Sequence, residues 1–156
     1  MSPLPLTPIG AVHSPITHPI DDVWGGVTSR IDLDPAQFTP DSLAGLDAFS
    51  HVEVVFCFHL VPPATVESGA RHPRGRQDWP AVGIFAQRAK SRPNRLGVSV
   101  CRLLAVEGLS VTVRGLDAIH NTPVLDIKPY LREFAPREPV SQPSWATELM
   151  AHYWDA

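Results

Sequence analysis

The sequence predicts an all-β protein, a small single-domain β-barrel of about seven short strands with a short C-terminal helix. Three observations carry that expectation. Seven separate runs alternate with the period of two that belongs to strands. Proline is unusually frequent, 17 of 156 residues, which disfavours long helices and favours short elements joined by turns. Turn residues punctuate the runs, as in a closed or nearly closed barrel. A chain of this length suits one domain, 1–156, and with 44% hydrophobic and 19% charged residues it can bury a core rather than remain disordered.

The first two runs are Ile9–His13 and Val27–Leu33. A short helix is expected near Pro40–Leu46. In His51–Leu60, Val52, Val54, Phe56, Phe58 and Leu60 face one way, and Glu53, Val55, Cys57 and His59 the other. Apolar residues on both sides predict a strand buried on two faces for much of its length. Pro62–Asp78 is polar, Arg-rich and aperiodic, which predicts a long loop, and such loops in compact domains often carry function. Ala81–Ala86, Gly97–Val106, Leu109–Leu116 and Val124–Ile127 complete the strands, with Gly108 marking a tight hairpin. The last element is a helix over 144–154, with Ser144 as N-cap and Trp145, Leu149 and Tyr153 on one face. Its expected role is packing, on the barrel or on a partner subunit.

Several function classes fall away. Cys57 and Cys101 are the only cysteines and sit in apolar alternating stretches, so buried thiols in a reducing compartment are expected. The first residues lack the basic start and apolar core of a signal peptide, and no apolar run approaches the roughly 20 residues that span a bilayer. A cytoplasmic protein without a membrane partner is the expectation. GxGxxG, GxxxxGK[ST] and GxSxG are absent. The seven histidines are dispersed, with no HxH, HExxH or CxxC pattern, so no metal site is expected.

The net charge of −3 conceals opposed parts. Between Arg71 and Arg102 stand eight basic residues against Asp78 alone, a local charge of +7. Residues 1–70 carry −7 and residues 103–156 carry −3. The 71–102 segment can therefore attract phosphate even on an acidic protein, although a solvated face with scattered counter-charges fits the same composition.

Four stretches are too particular to be scaffold alone. They are Ile9-Gly10-Ala11-Val12-His13-Ser14-Pro15, Leu46-Asp47-Ala48-Phe49-Ser50-His51-Val52, Val82–Arg88 continuing through Ser91–Gly97, and Leu116-Asp117 through Asn121–Tyr130. Together they resemble the TrmO family of S-adenosylmethionine-dependent methyltransferases, whose patterns run approximately IGxVxSP, LxxFSHLWxLFxFH, VGVFATRSxxRPNPIGLS and LDLLDGTPVLDIKPY. The resemblance covers residues 6 to 131 and marks the chain as a divergent single-domain member. It implies a small β-barrel working as a homodimer, S-adenosylmethionine as cofactor, and methylation of N6 of threonylcarbamoyladenosine in tRNA, reached through the basic 71–102 segment.

Carried over position by position, the resemblance implies cofactor contacts at His59, Leu60, Arg88 and Val98 and along Asp117, Ala118, Ile119 and His120. Arg88 could pair with the methionine carboxylate as a fork. Asp117 and His120 are the candidates for handling the proton shed by a nitrogen acceptor, with Tyr130 as an orienting hydroxyl. Arg92, Asn94 and Arg95 are candidate substrate contacts. His59 equally fits a strand-end histidine bonded locally, and Asn94 a turn residue bonding its own backbone.

The departures cluster at the expected active face. The family's PRQ tripeptide is replaced by the Asp21–Gly26 region, where Asp22 and Trp24 fit either a wall for a cation or flat ring, or a turn whose Trp24 covers the barrel end. Arg95 stands for Pro, His120-Asn121 for Asp-Gly, and Glu53 for Trp. The C-terminal domain of longer bacterial members has no counterpart. A methyltransferase of a small molecule or peptide, and a non-catalytic S-adenosylmethionine-binding module, therefore stand beside the tRNA reading.

Overall fold

The computed structural model describes residues 1–156. Its strands are β1 (Gly10–His13), β2 (Thr28–Leu33), β3 (His51–Cys57), β4 (Ala70–Arg71), β5 (Val82–Gly83), β6 (Leu96–Glu107), β7 (Ser110–Arg114) and β8 (Pro123–Pro129). Six of them close a barrel in the order β1-β2-β7-β6-β3-β8, with every neighbour antiparallel. β4 and β5 form a separate two-stranded ribbon.

Alternation sets the interior. Val52, Val54 and Phe56 of β3 are buried, while the residues between them are half-buried. Val12, Ile31, Val111, Val113 and Val124 meet them and are completely enclosed. Each such side chain contributes about 1.5–3 kcal/mol by leaving water. The lumen is therefore a packed core rather than a channel. Register shifts at Val55/Phe56 and at Leu103/Ala105 sharpen the local twist that lets a short sheet close on itself. Gly97 lies opposite Phe56, and a Cβ there would come within 2.5 Å of the Phe56 ring, so the aromatic covers the space that glycine leaves. Gly108, at φ +60°, turns the β6–β7 hairpin as expected.

Three sequence expectations change. The run Ala81–Ala86 survives as a strand only at Val82–Gly83, and Ile84–Ala86 is a 3-10 turn. The Gln87 side chain explains the break, because its amide donates to the carbonyls of both Arg71 and Val82 and pulls the chain out of the ribbon. The helix near Pro40–Leu46 is instead two 3-10 turns, Pro40–Leu43 and Leu46–Ala48, parted by Gly45 at φ +83°. The last helix, α1 (Ser144–Leu149), is shorter than 144–154, and its N-cap is Pro143 without a side-chain bond, not Ser144. Beyond it the chain leaves helical geometry because its carbonyls are used elsewhere. Val23, Trp24 and Gly25 donate their N–H groups to the carbonyls of His152, Tyr153 and Asp155 at 3.1, 2.9 and 3.1 Å.

The long loop expected at Pro62–Asp78 holds β4 and two 3-10 turns, Pro63–Thr65 and Pro73–Gly75. No helix is long and apolar enough to cross a membrane.

Candidate active site

One open cleft of about 1410 Å³ lies at the edge of the barrel, lined by inward residues such as Phe56 and Ser99 as well as by outward ones such as Val98 and Val100. Its floor is the end of β3 and the start of β6, and its walls are the 84–92 segment, the 117–119 segment, Ile20–Trp24 and α1 with the turns after it.

Asp117 is the best-fixed acid in the cleft. It follows Gly115, whose φ of +82° turns the chain out of β7. Ser99 donates its hydroxyl to Asp117 Oδ1, and Tyr153 donates its phenol to Asp117 Oδ2. Burial, then the Asp117 charge and this hydrogen bond, push the Tyr153 phenol far above its ordinary range, against the opposing charges of Arg88 and Arg74. The neighbouring Cys101 thiol is pushed up to about 12 by burial first and by Asp117 second. It is an inert core thiol.

The basic side of the cleft is built by the 84–95 segment. Gln87 is its spine, buried and bonded to two carbonyls, and Arg92 Nη1 donates to the Gln87 carbonyl at 2.6 Å. Arg88 Nη2 donates to the Val98 carbonyl at 2.7 Å, which holds its guanidinium across the start of β6. Arg71, from the ribbon, also lines the cleft, and its Nε is buried with no hydrogen-bond partner. Asn94 and Arg95 adopt φ +62° and +53°, a left-handed turn that asparagine tolerates well.

Of the residues singled out from the sequence, His59, Leu60, Arg88, Val98, Asp117, Ala118 and Ile119 all line this cleft, as do Arg92, Asn94 and Trp24. Burial pulls the His59 imidazole below its ordinary range, partly offset by a backbone hydrogen bond at Cys57. Four others lie away from the cleft wall. His120 packs edge-on against His13, with ring centroids 5.4 Å apart. Tyr130 follows β8 and donates its backbone N–H to the His51 carbonyl. Arg95 Nη1 donates to the Val61 carbonyl at 2.8 Å, and Asp22 forms a two-point pair with Arg74 at 2.8 and 3.0 Å. Trp24 is only 3% exposed, so it is a buried member of the cleft lining.

The cleft also contains residues that the motifs do not reveal: Tyr153, Arg71 and the exposed aromatic Trp154. Phe85 and Ser99 stand inside the VGVFATRSxxRPNPIGLS-like stretch but are not singled out there; Ser99 carries the further signal of a polar residue at an inward position of an alternating strand. No group of three or more His, Cys, Asp or Glu side chains is placed to hold a metal ion.

Fold and site together define a class: a closed β-barrel with an open cleft at its edge, where a pinned carboxylate and several arginines share the lining. The family model for the tRNA-methyltransferase O N-terminal domain matches residues 15–135, and the chain belongs to this TrmO family. Among curated relatives, the human tRNA (adenine(37)-N6)-methyltransferase is 39% identical over 102 residues, 65% of this chain and 23% of that protein. A probable S-adenosyl-L-methionine-binding protein of Pyrococcus abyssi is 34% identical over 145 residues, 85% of this chain and 71% of that one. The crystal structure of TrmO from P. aeruginosa superposes with a TM-score of 0.73 at 28% identity, covering 92% of this chain and 62% of the other. The chain thus spans less than a quarter of the human relative and under two thirds of that crystallised protein.

Proposed function

We propose that the protein is an S-adenosylmethionine-dependent N-methyltransferase acting on an adenosine derivative in tRNA. The observation that carries the proposal is the cleft itself, where Asp117, fixed by Ser99 and Tyr153, shares a wall with arginines free to bind an anion. Relatives named as tRNA adenine methyltransferases and as S-adenosyl-L-methionine-binding proteins support it.

The residues fit such a cofactor. Its carboxylate needs a guanidinium, and Arg71 has a buried, unpartnered Nε while Arg88 uses one N–H on Val98 and keeps the rest. Asp117 suits the ammonium or the ribose diol, and Leu60, Val98 and Ile119 offer apolar surface to the adenine. When bound, S-adenosylmethionine supplies an activated methyl group on a positively charged sulfur. The chain's part is then to hold the acceptor nitrogen in line and exclude water. Asp117 also accepts the proton that the acceptor nitrogen sheds. Lys90 and Arg92 line the same cleft and form no ion pair, which leaves them to meet RNA phosphate.

This reading includes work on cytoplasmic tRNA as a homodimer. Val100 and Leu104, exposed by 44 and 45% on the outer face of β6, supply apolar surface for a second copy.

The test supplies labelled S-adenosylmethionine and tRNA from a strain lacking this methylation, followed by nucleoside mass spectrometry. Methylated threonylcarbamoyladenosine is expected with the native protein. Asp117→Ala abolishes it, while circular dichroism reports a folded barrel. Cofactor binding without any methylated nucleoside would sink the tRNA assignment and leave a small molecule or peptide as acceptor. Full turnover by the variant would remove Asp117 from the chemistry.

A further inference from the structure

We propose that Tyr153 is a positioning residue of the active site, fixing Asp117 from a segment outside the family-matched 15–135 region. The inference deepens the methyltransferase reading and rests on it. Asp117 accepts from Ser99 at Oδ1 and from Tyr153 at Oδ2. Donors on both oxygens hold the carboxylate plane in one orientation, and hydrogen bonds to a charged acceptor are the strong ones. Ser99 comes from β6, inside the matched region; Tyr153 comes from the turns after α1.

Tyr153 is itself held from several sides. Trp24 donates its N–H to the Tyr153 carbonyl, flanked by the parallel contacts of Val23 and Gly25 with His152 and Asp155. Gly25 permits that approach, since a Cβ there would lie 1.9 Å from the Trp154 carbonyl oxygen. The Arg74–Asp22 pair clamps the 21–25 strip from the other side. Upstream, Trp79 Nε1 donates to Glu148 Oε2 at 2.8 Å, tying α1 to the ribbon side of the cleft. A tyrosine that served only to pack would need none of this alignment at its hydroxyl. With its phenol kept protonated by burial and by Asp117, the group is a permanent donor and not a proton acceptor.

The experiment is a double-mutant cycle on the full chain with Tyr153→Phe, Asp117→Asn and both together, read as thermal midpoint, with kcat and KM measured for Tyr153→Phe alone because Asp117→Asn is expected to be inactive. Tyr153→Phe keeps the ring and is expected to lower kcat about tenfold or more, with KM for tRNA within about twofold, and to lower the thermal midpoint by a few degrees. In the Asp117→Asn background the same change is expected to shift the midpoint by less than half as much. Unchanged kcat in Tyr153→Phe overturns the proposal, as does an equal midpoint shift in both backgrounds.

A second measurement does not depend on turnover. Carbon NMR of protein labelled at tyrosine Cζ gives two signals, one per tyrosine, and Tyr153→Phe assigns them. Asp117→Asn is expected to shift the Tyr153 signal; an unmoved signal overturns the proposal. If the native protein transfers no methyl group, the methyltransferase reading fails while this arm still decides whether Tyr153 and Asp117 are coupled.

Discussion

Asp22 and Arg74 meet through two hydrogen bonds at 2.8 and 3.0 Å, with side chains about one third and one quarter exposed, and so fasten the 21–25 strip to the ribbon loop. The hydrogen bond from Arg74 holds the Asp22 carboxyl below its ordinary value of 3.8, against the opposing effect of burial. A depressed carboxyl stabilises the fold fully above its unfolded value and loses that contribution as pH falls through the folded one. Asp22→Asn is therefore expected to lower the thermal midpoint near neutral pH, with the difference from the native protein closing below pH 3.8. Melting curves across that range check it, and a gap that stays constant in acid contradicts the pairing. At this scale the legible residues are those that sit inside a motif. Asp117, Arg88 and Val98 can be placed because each has a fixed neighbour in sequence. Tyr153 cannot, because it stands 36 residues from its partner and reaches it only through backbone pairing with Val23–Gly25. Asp22 and Trp24 can be singled out as unusual, but whether they face a ligand or the barrel depends on Arg74, which no local pattern connects to them.

Among the elements, β3 and β6 bear most directly on the site, since the cleft floor is the place where they begin and end. Their contact at Phe56 and Gly97 leaves no room for a methyl group. Gly97→Ala is expected to destabilise the protein by about 1–3 kcal/mol through forced displacement of the Phe56 ring. Denaturant unfolding checks this, and an unchanged midpoint would mean that the ring has space to move. The six barrel strands are legible because alternation reports directly which side of a sheet meets the core. The run at Ala81–Ala86 misleads for a physical reason: its apolar residues alternate, yet Gln87 offers the backbone a competing pair of hydrogen bonds. The helix over 144–154 is overestimated because side-chain periodicity does not register that its later carbonyls have other partners.

For the whole molecule, the +7 of residues 71–102 already sets Arg76 against its partner Asp78, and the Arg74–Asp22 pair reduces it further in three dimensions. Arg71, Arg88, Lys90 and Arg92 remain without carboxylate partners on the cleft wall. On the proposed reading Arg71 and Arg88 serve the cofactor carboxylate, so the two phosphate contacts left to Lys90 and Arg92 give tRNA affinity a log–log dependence on salt with a slope of about −1.4, well short of what eight free bases would give. Titrations at several ionic strengths measure it directly. A slope near zero would remove RNA phosphate as the partner of this wall.

The filled lumen has its own consequence for traffic. A barrel plugged by valine, isoleucine and phenylalanine has no inner chamber to open. On the proposed reading, ligand and product therefore come and go without the strands parting, and the frame can stay rigid through a catalytic cycle. Any movement that turnover requires then falls to the loops and to the chain after α1, with the barrel as their fixed anvil.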